Sequence, residues 1–446
     1  MKKVDYIICG DYVLTMNERL DAFHDGAVAV KGARIVDVDS AEAVLRNFSA
    51  GRTIEGKGRA VLPGLVNTHT HAPMVFFRGL ADDLPLKDWL EKHIWPAEDS
   101  LLNPGFVYDA TKLACLEMIK AGITTYNDMY FFGGSSAAAA KEIGIRAFLG
   151  AGILDFPGKT AQTADEYLGN AEKFILDWRG EDLITPCLAP HSAYACGPGT
   201  LKKITELAER LGALVSIHLS ETEWEVGEIL SRYGRRPVEH LEAIGFLNQR
   251  VLAAHCVWLS DSEIDVLARR GVGVSHCIES NLKLASGIAP VPEMLRAGIK
   301  VTFGTDGAAS NNDLNVLGEM STAAKVHKAV AKDPATLDSK TALLMATRWG
   351  AEVLGIGDRA GSLEKGKLAD IITIDLKKPH LTPVYDMYSH MVYAAAASDI
   401  DTVMINGRLV VDSRRPVTCD EEKIMQKASE WGKKIAVYNS GSRQVN

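Results

Sequence analysis

His69 and His71, separated by Thr70, stand at the end of the apolar run VLPGLV at 61–66. In an extended segment, side chains at i and i+2 share a face, so both imidazoles can reach one metal ion while Thr70 turns away. A His-x-His pair on its own reads equally well as two histidines of a core strand. The rest of the chain decides. Further ionisable residues close other apolar runs: His191 in ITPCLAPH, His218 and Glu221 in LVSIHLSE, His255 in RVLAAHC, His276 in GVGVSHC and Asp306 in KVTFGTDG. Six of the twelve histidines fall in this set, and placing ionisable groups at the ends of apolar strands costs stability that chemistry would justify.

Three imidazoles and one carboxylate make a donor set for a divalent transition metal that leaves a position open for water. His69, His71, His218 and Asp306 are assigned to it. Taken singly, His218 reads as a hydrogen-bonded core histidine and Asp306 as a turn aspartate before Gly307; their shared position at strand ends makes them a set. Water held by such an ion ionises near neutral pH and becomes a nucleophile. Glu221, three residues past His218, is better placed to carry protons than to bind the metal, and His255 to hydrogen-bond the attacking oxygen. Either could instead orient a metal ligand, and His276 reads equally as structural or functional. One divalent metal per chain is expected, zinc first, although the same donors suit Fe2+ and Mn2+.

These residues need a frame, and the pattern between 59 and 364 supplies one. Eight apolar runs, at 60–69, 123–129, 146–153, 184–191, 214–221, 250–256, 271–277 and 300–307, alternate with helical patterns such as 199–212, 260–271 and 291–298. Each run suits a fully buried parallel strand, and each helix returns the chain for the next. The pattern predicts an α/β fold: a (β/α)8 TIM-like barrel with its active site at the C-terminal strand ends. Before and after it the texture is β-like, up to about 54 and again at 368–376 and 401–412, which predicts a small β-sandwich domain formed by both chain termini. The expected divisions are 1–58, the metal-dependent barrel at 59–364, and 365–446, where 420–437 is helical in pattern with Asp420 as N-cap. One connection stands apart: 73–110 is long and carries Trp89, His93, Trp95 and Glu98, as a functional lid or as a packing helix over the barrel mouth.

The 446 residues carry a net charge of -8, without a basic face to neutralise phosphates. This argues against a nucleic-acid partner and makes a small molecule the default. No window reaches the ~18 apolar residues of a membrane span, and the start shows no apolar region of signal-peptide length. Seven scattered cysteines without a Cys-x-x-Cys fit reduced thiols, so the expected location is the cytoplasm.

With His-x-His after the first strand, single histidines on the fifth and sixth, an aspartate on the eighth and a split β domain, the chain resembles the amidohydrolase superfamily over essentially its whole length. No lysine ends the fourth run, where binuclear members carry a carbamylated bridging lysine; His191 stands in that stretch, which fits one metal. Within the superfamily, VNTHTHAPMVFFRGLADDLPLKDWLEKHIWPAE, APHSAY, SIHLSET, AAHCVWL, SHCIESNLKLASGIAPV and GTDGAASNNDLN resemble the 5-methylthioadenosine/S-adenosylhomocysteine deaminases. The resemblance implies a hydrolase of C–N bonds in cyclic amidines. It would convert the 6-amino group of methylthioadenosine- or adenosine-type nucleosides, with S-adenosylhomocysteine as a further candidate, to the inosine analogue and release ammonia. By the same likeness, Glu221 protonates the purine N1 during attack at C6 and Asp306 collects the hydroxide's proton. Trp89 and Glu98 hold the ribose, His191 and Ser310 meet two edges of the purine, and the chain forms a homo-oligomer. Family members that accept S-adenosylhomocysteine grip its carboxylate with arginines in and after the third strand. The matching stretch here, GAGILDFPGKTAQTADEYLGN, has only Lys159, so methylthioadenosine or adenosine is expected to be preferred. Relatives acting on guanine, 8-oxoguanine, pterin or chlorotriazine rings share the metal residues and stand as the alternative. A metal-binding protein without turnover is disfavoured by the complete acid/base set.

Overall fold

Pro63 and Gly64 mark the crossing between two separate sheets. The computed structural model describes residues 1–84 and 86–442; Pro85 and 443–446, which fall in the expected barrel and C-terminal divisions, lie outside the described residues. The run expected as one strand over 60–69 is two. Arg59–Pro63 pairs with Ile371–Asp375 and with Tyr12 and Val13 in a sheet built by the termini, whereas Leu65–Thr70 opens the barrel. Proline has no N–H to extend a ladder. At Gly64 a Cβ would stand 2.1 Å from the Thr124 side chain, so only glycine lets the chain cross between the sheets there.

The barrel strands are β1 (Leu65–Thr70), β2 (Ile123–Tyr130), β3 (Arg146–Ile153), β4 (Ile184–Pro190), β5 (Val215–Leu219), β6 (Val251–His255), β7 (Gly273–His276) and β8 (Val301–Phe303). Neighbours pair in parallel in that order. The barrel is nearly closed, because Asp306 N donates to His69 O at 3.0 Å and Thr70 Oγ1 to Asp306 O at 2.9 Å. The return helices present one apolar face: in Pro198–Leu211 the buried residues Leu201, Ile204, Leu207 and Ala208 recur at helical spacing. Ser260 and Glu263 form a reciprocal capping box that starts Asp261–Arg270. The barrel interior holds polar side chains as well as apolar ones. Thr68 Oγ1 meets Ser275 Oγ at 2.7 Å and Thr302 Oγ1 at 2.8 Å, and Asn127 Nδ2 donates to Ser216 Oγ at 3.0 Å.

The β domain expected from both termini is a nine-stranded mixed sheet in which Arg59–Pro63 joins the N-terminal strands to the C-terminal ones. The helix Glu421–Ser442 is capped by Asp420, whose Oδ1 accepts the Lys423 N–H at 3.0 Å. Its Trp431 Nε1 donates to Asp109 Oδ2 at 2.8 Å, on the helix Pro104–Lys120. Among the described residues, no helix is long and apolar enough to cross a membrane.

One buried ion pair joins barrel to sheet. Arg146, at the start of β3, places Nη2 3.2 Å from Asp370 Oδ2, and the two residues are 5% and 4% exposed. Removing one partner strands the other charge in the interior. Asp370→Ala is expected to lower unfolding free energy by about 3–5 kcal/mol, measured from urea midpoints; a loss below about 1 kcal/mol would mean that apolar contacts alone hold the joint.

Candidate active site

The end of β1 delivers the two histidines, and their tautomers follow from what they touch. His71 Nδ1 lies 2.6 Å from Met129 O, and His218 Nδ1, on β5, lies 2.7 Å from His191 O. A carbonyl only accepts, so each Nδ1 carries and donates its proton, and each Nε2 turns inward. The two Nε2 atoms face each other at 3.2 Å. Asp306 Oδ1 is 3.2 Å from His71 Nε2 and 3.6 Å from His69 Nε2, and His69 Nε2 is buried without a hydrogen-bond partner. Convergent ring nitrogens, one of them orphaned, are costly around nothing and favourable around a cation. The 3.2 Å spacing is close to the ~3.3 Å between two nitrogens on a tetrahedral zinc. The donor atoms of His69, His71 and Asp306 all lie within 4.8 Å of one another. All four residues assigned to the metal are therefore brought together, and the set fits a divalent ion.

Their electrostatics give a pH dependence. Burial lowers the His69 imidazole to about 4 and His218 well below its ordinary value, so both present lone pairs. At His71 burial also lowers the pKa, but the Asp306 carboxylate outweighs it and raises the ring to about 9. Burial would raise Asp306; the neighbouring His69 and His71 rings hold it well below the usual carboxylate range. A proton therefore occupies His71 at neutral pH until a cation displaces it. Apparent metal affinity should rise by about tenfold per pH unit from pH 7 towards 9. Calorimetry with Zn2+ in buffers of different ionisation enthalpy reads this as about one proton released per ion at pH 7.5; no release would contradict it.

Asp306 and His255 both have left-handed backbones, at φ +57° and +70°. Each costs of order 1–2 kcal/mol for a residue with a Cβ, and neighbouring side chains hold them there. Ser280 and Ser310 hydroxyls donate to Asp306 Oδ2 at 2.6 and 2.7 Å, leaving Oδ1 for the metal residues. His255 Nδ1 meets Asn281 Oδ1 at 2.9 Å, which turns its Nε2 inward, 3.8 Å from Glu221 Oε2. Burial raises the Glu221 carboxyl, against the opposing pull of His255. Ser280 and Asn281 were not foreseen; the only signal is their place one turn after the β7 end, in the run HCIESN.

These groups close one end of a cavity of about 370 Å³, within the range of small-molecule sites. The helical segment 86–101 of the long connection contributes Trp89, Trp95 and Glu98 to the lining, together with Phe156 and Tyr194, and the Trp95 and Phe156 rings lie 6.4 Å apart. Trp89 Nε1 is tied to Ala81 O at 3.0 Å, and Tyr130 OH donates to Glu98 Oε1 at 2.5 Å. Burial pushes the Glu98 carboxyl up to about 7 against that hydroxyl. His191 lines the cavity over His218, and burial lowers its ring to about 3. Ser310, expected at the purine's edge, is not among the lining residues; it is buried and spends its hydroxyl on Asp306. His276 is fully buried and meets His327 at 3.1 Å, on the helix Val316–Ala331, so it belongs to the packing.

Comparison with known proteins agrees with this geometry. The model of the amidohydrolase family matches residues 60–410. The 5-methylthioadenosine/S-adenosylhomocysteine deaminase of Thermodesulfovibrio yellowstonii is 51% identical over 432 residues, 96% of this chain and 98% of that one. The 5'-deoxyadenosine deaminase of Methanosarcina acetivorans is 45% identical over 426 residues, 95% of this chain and 96% of that one. An adenosine deaminase structure from Xanthomonas campestris with bound zinc superposes with a TM-score of 0.96 at 40% identity, covering 98% of this chain and 99% of that one. The chain belongs to the amidohydrolase family, among the 5-methylthioadenosine/S-adenosylhomocysteine deaminases.

Proposed function

We propose that this chain is a hydrolytic deaminase of 6-aminopurine nucleosides with an uncharged 5' group, methylthioadenosine or adenosine, working with one zinc ion per chain. The observation that carries the reading is Glu221: a buried carboxyl with a raised pKa, set in the cavity wall 3.8 Å from His255 Nε2, in a lining that also includes His71, His218 and Asp306. Protonating a ring nitrogen needs a carboxylic acid, and burial favours the protonated form of Glu221 more than water does. His69, His71, His218 and Asp306 would hold the ion. When bound, it supplies the nucleophile by lowering the pKa of its water. Glu221 then donates its proton to N1 of the base. His255 Nε2, fixed by Asn281, orients the oxygen that attacks C6; Asp306 Oδ1 takes that oxygen's proton and returns it to the 6-amino nitrogen, so that the C6–N bond breaks and ammonia leaves. Glu98, braced by Tyr130, accepts the ribose hydroxyls beside Trp89, and His191 covers the purine. Ser310 serves through Asp306. Zinc is favoured by the imidazole-rich donor set and by the zinc of the Xanthomonas neighbour.

The 5' preference rests on the cavity lining, where Lys159 is the one lysine or arginine among the described residues. Its Nζ lies 3.4 Å from Asp99 Oδ1. A substrate carboxylate there would meet the Asp99 charge as well as the lysine, without a bidentate partner. Loss of the adenine band should be followed on zinc-loaded protein with methylthioadenosine, adenosine, S-adenosylhomocysteine, guanine and atrazine. Methylthioadenosine is expected to exceed S-adenosylhomocysteine by about tenfold or more in kcat/KM. Equal values would remove the uncharged-group clause, and turnover of guanine or atrazine alone would overturn the nucleoside reading.

A further inference from the structure

We infer that Glu225 is a positioning residue for the proton carrier, aiming Glu221 by clamping the backbone that bears it; this rests on the deaminase reading above. β5 ends at Leu219, and the next residue, Ser220, has a left-handed backbone at φ +51°. Thr222 then caps the helix Glu223–Tyr233, its hydroxyl accepting the Glu225 N–H at 3.2 Å. Glu225 is the third residue of that helix. A glutamate at this position ordinarily reaches back to the cap residue's own N–H. Here it reaches past the cap. Its Oε1 accepts the Ser220 N–H at 2.9 Å and its Oε2 accepts the Glu221 N–H at 2.8 Å.

The same turn is tied to the loop after His255. Ser220 O accepts from Val257 N at 3.0 Å and Trp258 N at 2.8 Å, and Leu219 O from Cys256 N at 3.0 Å. One carboxylate thus holds the turn that carries Glu221 and to which the loop after His255 is tied. Glu225 is 1% exposed, so neither N–H has water as a substitute partner. His255 Nε2 is 3.8 Å from the Glu221 carboxylate, too far to hydrogen-bond it. Apart from the Ser286 hydroxyl, which faces that carboxyl, the aim of the side chain is set from its backbone. Ordinary capping does not call for this arrangement, because Thr222 already caps the helix. Two N–H groups side by side call for two acceptor oxygens, which a carboxylate has and an amide lacks. Glutamine at 225 would turn its NH2 on one of them and twist the turn that carries Glu221.

The test is a double-mutant cycle on zinc-loaded enzyme with methylthioadenosine, comparing Glu225→Gln, Glu221→Gln and the double variant. Glu225→Gln is expected to lose about 10–100-fold in kcat, with KM, zinc content and melting temperature close to wild type. In the Glu221→Gln background the same change should cost less than about twofold, because there is no acid left to aim. Should Glu225→Gln not fold, Glu225→Asp takes its place; it keeps two acceptors but withdraws them, and the same split of kcat from KM is expected. Unchanged kcat in a folded variant, or an equal loss in both backgrounds, overturns the inference. Wild-type enzyme inert on every adenosine substrate would instead overturn the deaminase reading, and the role of Glu225 would fall with it.

Discussion

Glu221→Gln is expected to lose about 100-fold or more in kcat while keeping one metal per chain and its affinity for the nucleoside. Glutamine matches the shape of glutamate and fills the same buried place at the cavity wall. What it lacks is a proton it can release. Burial raises the wild-type carboxyl, with His255 opposing, so the acid form persists to higher pH than in water. Wild-type kcat/KM should then fall as pH rises through that raised value, since the ionised form cannot protonate the base. This descending limb should be missing from the variant, whose residual rate does not depend on the group. Loss of metal in Glu221→Gln would make the residue a ligand or a support. Near-normal turnover with metal retained would show that the ring nitrogen needs no protein acid.

The metal residues were legible because two simple periods expose them. His69 and His71 share a face by the alternation of a strand, and His218 and Asp306 each end an apolar run. The sheet crossing at Pro63 and Gly64 was hidden, since 60–66 is apolar on both sides of the break and only contact with Thr124 makes the glycine necessary. Nor does any local pattern give Asp306 or His255 a left-handed backbone. That conformation is imposed by barrel closure and by partners distant in sequence, Ser280 for the first and Asn281 for the second. His276 shows the same limit. It closes an apolar run as His255 does, and what separates them is His327, fifty-one residues further on. Position in the pattern says which histidines can face the barrel mouth; pairing in space says which of them do.

That distinction makes the second large effect a matched comparison. His69→Ala is expected to drop activity by about 1,000-fold or more by losing the metal, whereas His276→Asn keeps the metal and most of the activity. Both histidines are almost completely buried at the ends of barrel strands, so simple loss of packing does not separate the two. His69 Nε2, however, points at the Asp306 carboxylate with no hydrogen-bond partner, while His276 Nε2 already has His327. Removing His69 takes one donor from a set of four, and the remaining His71 is the one that must first give up a proton to the ion. Loss should therefore be steepest at low pH and partly recovered by excess Zn2+ at about pH 9, where that proton is more easily released. Metal analysis after gel filtration, alongside far-ultraviolet circular dichroism, distinguishes a lost ion from a lost fold. One tightly held ion per chain in His69→Ala, or its loss in a folded His276→Asn, would assign the metal to a different set of donors.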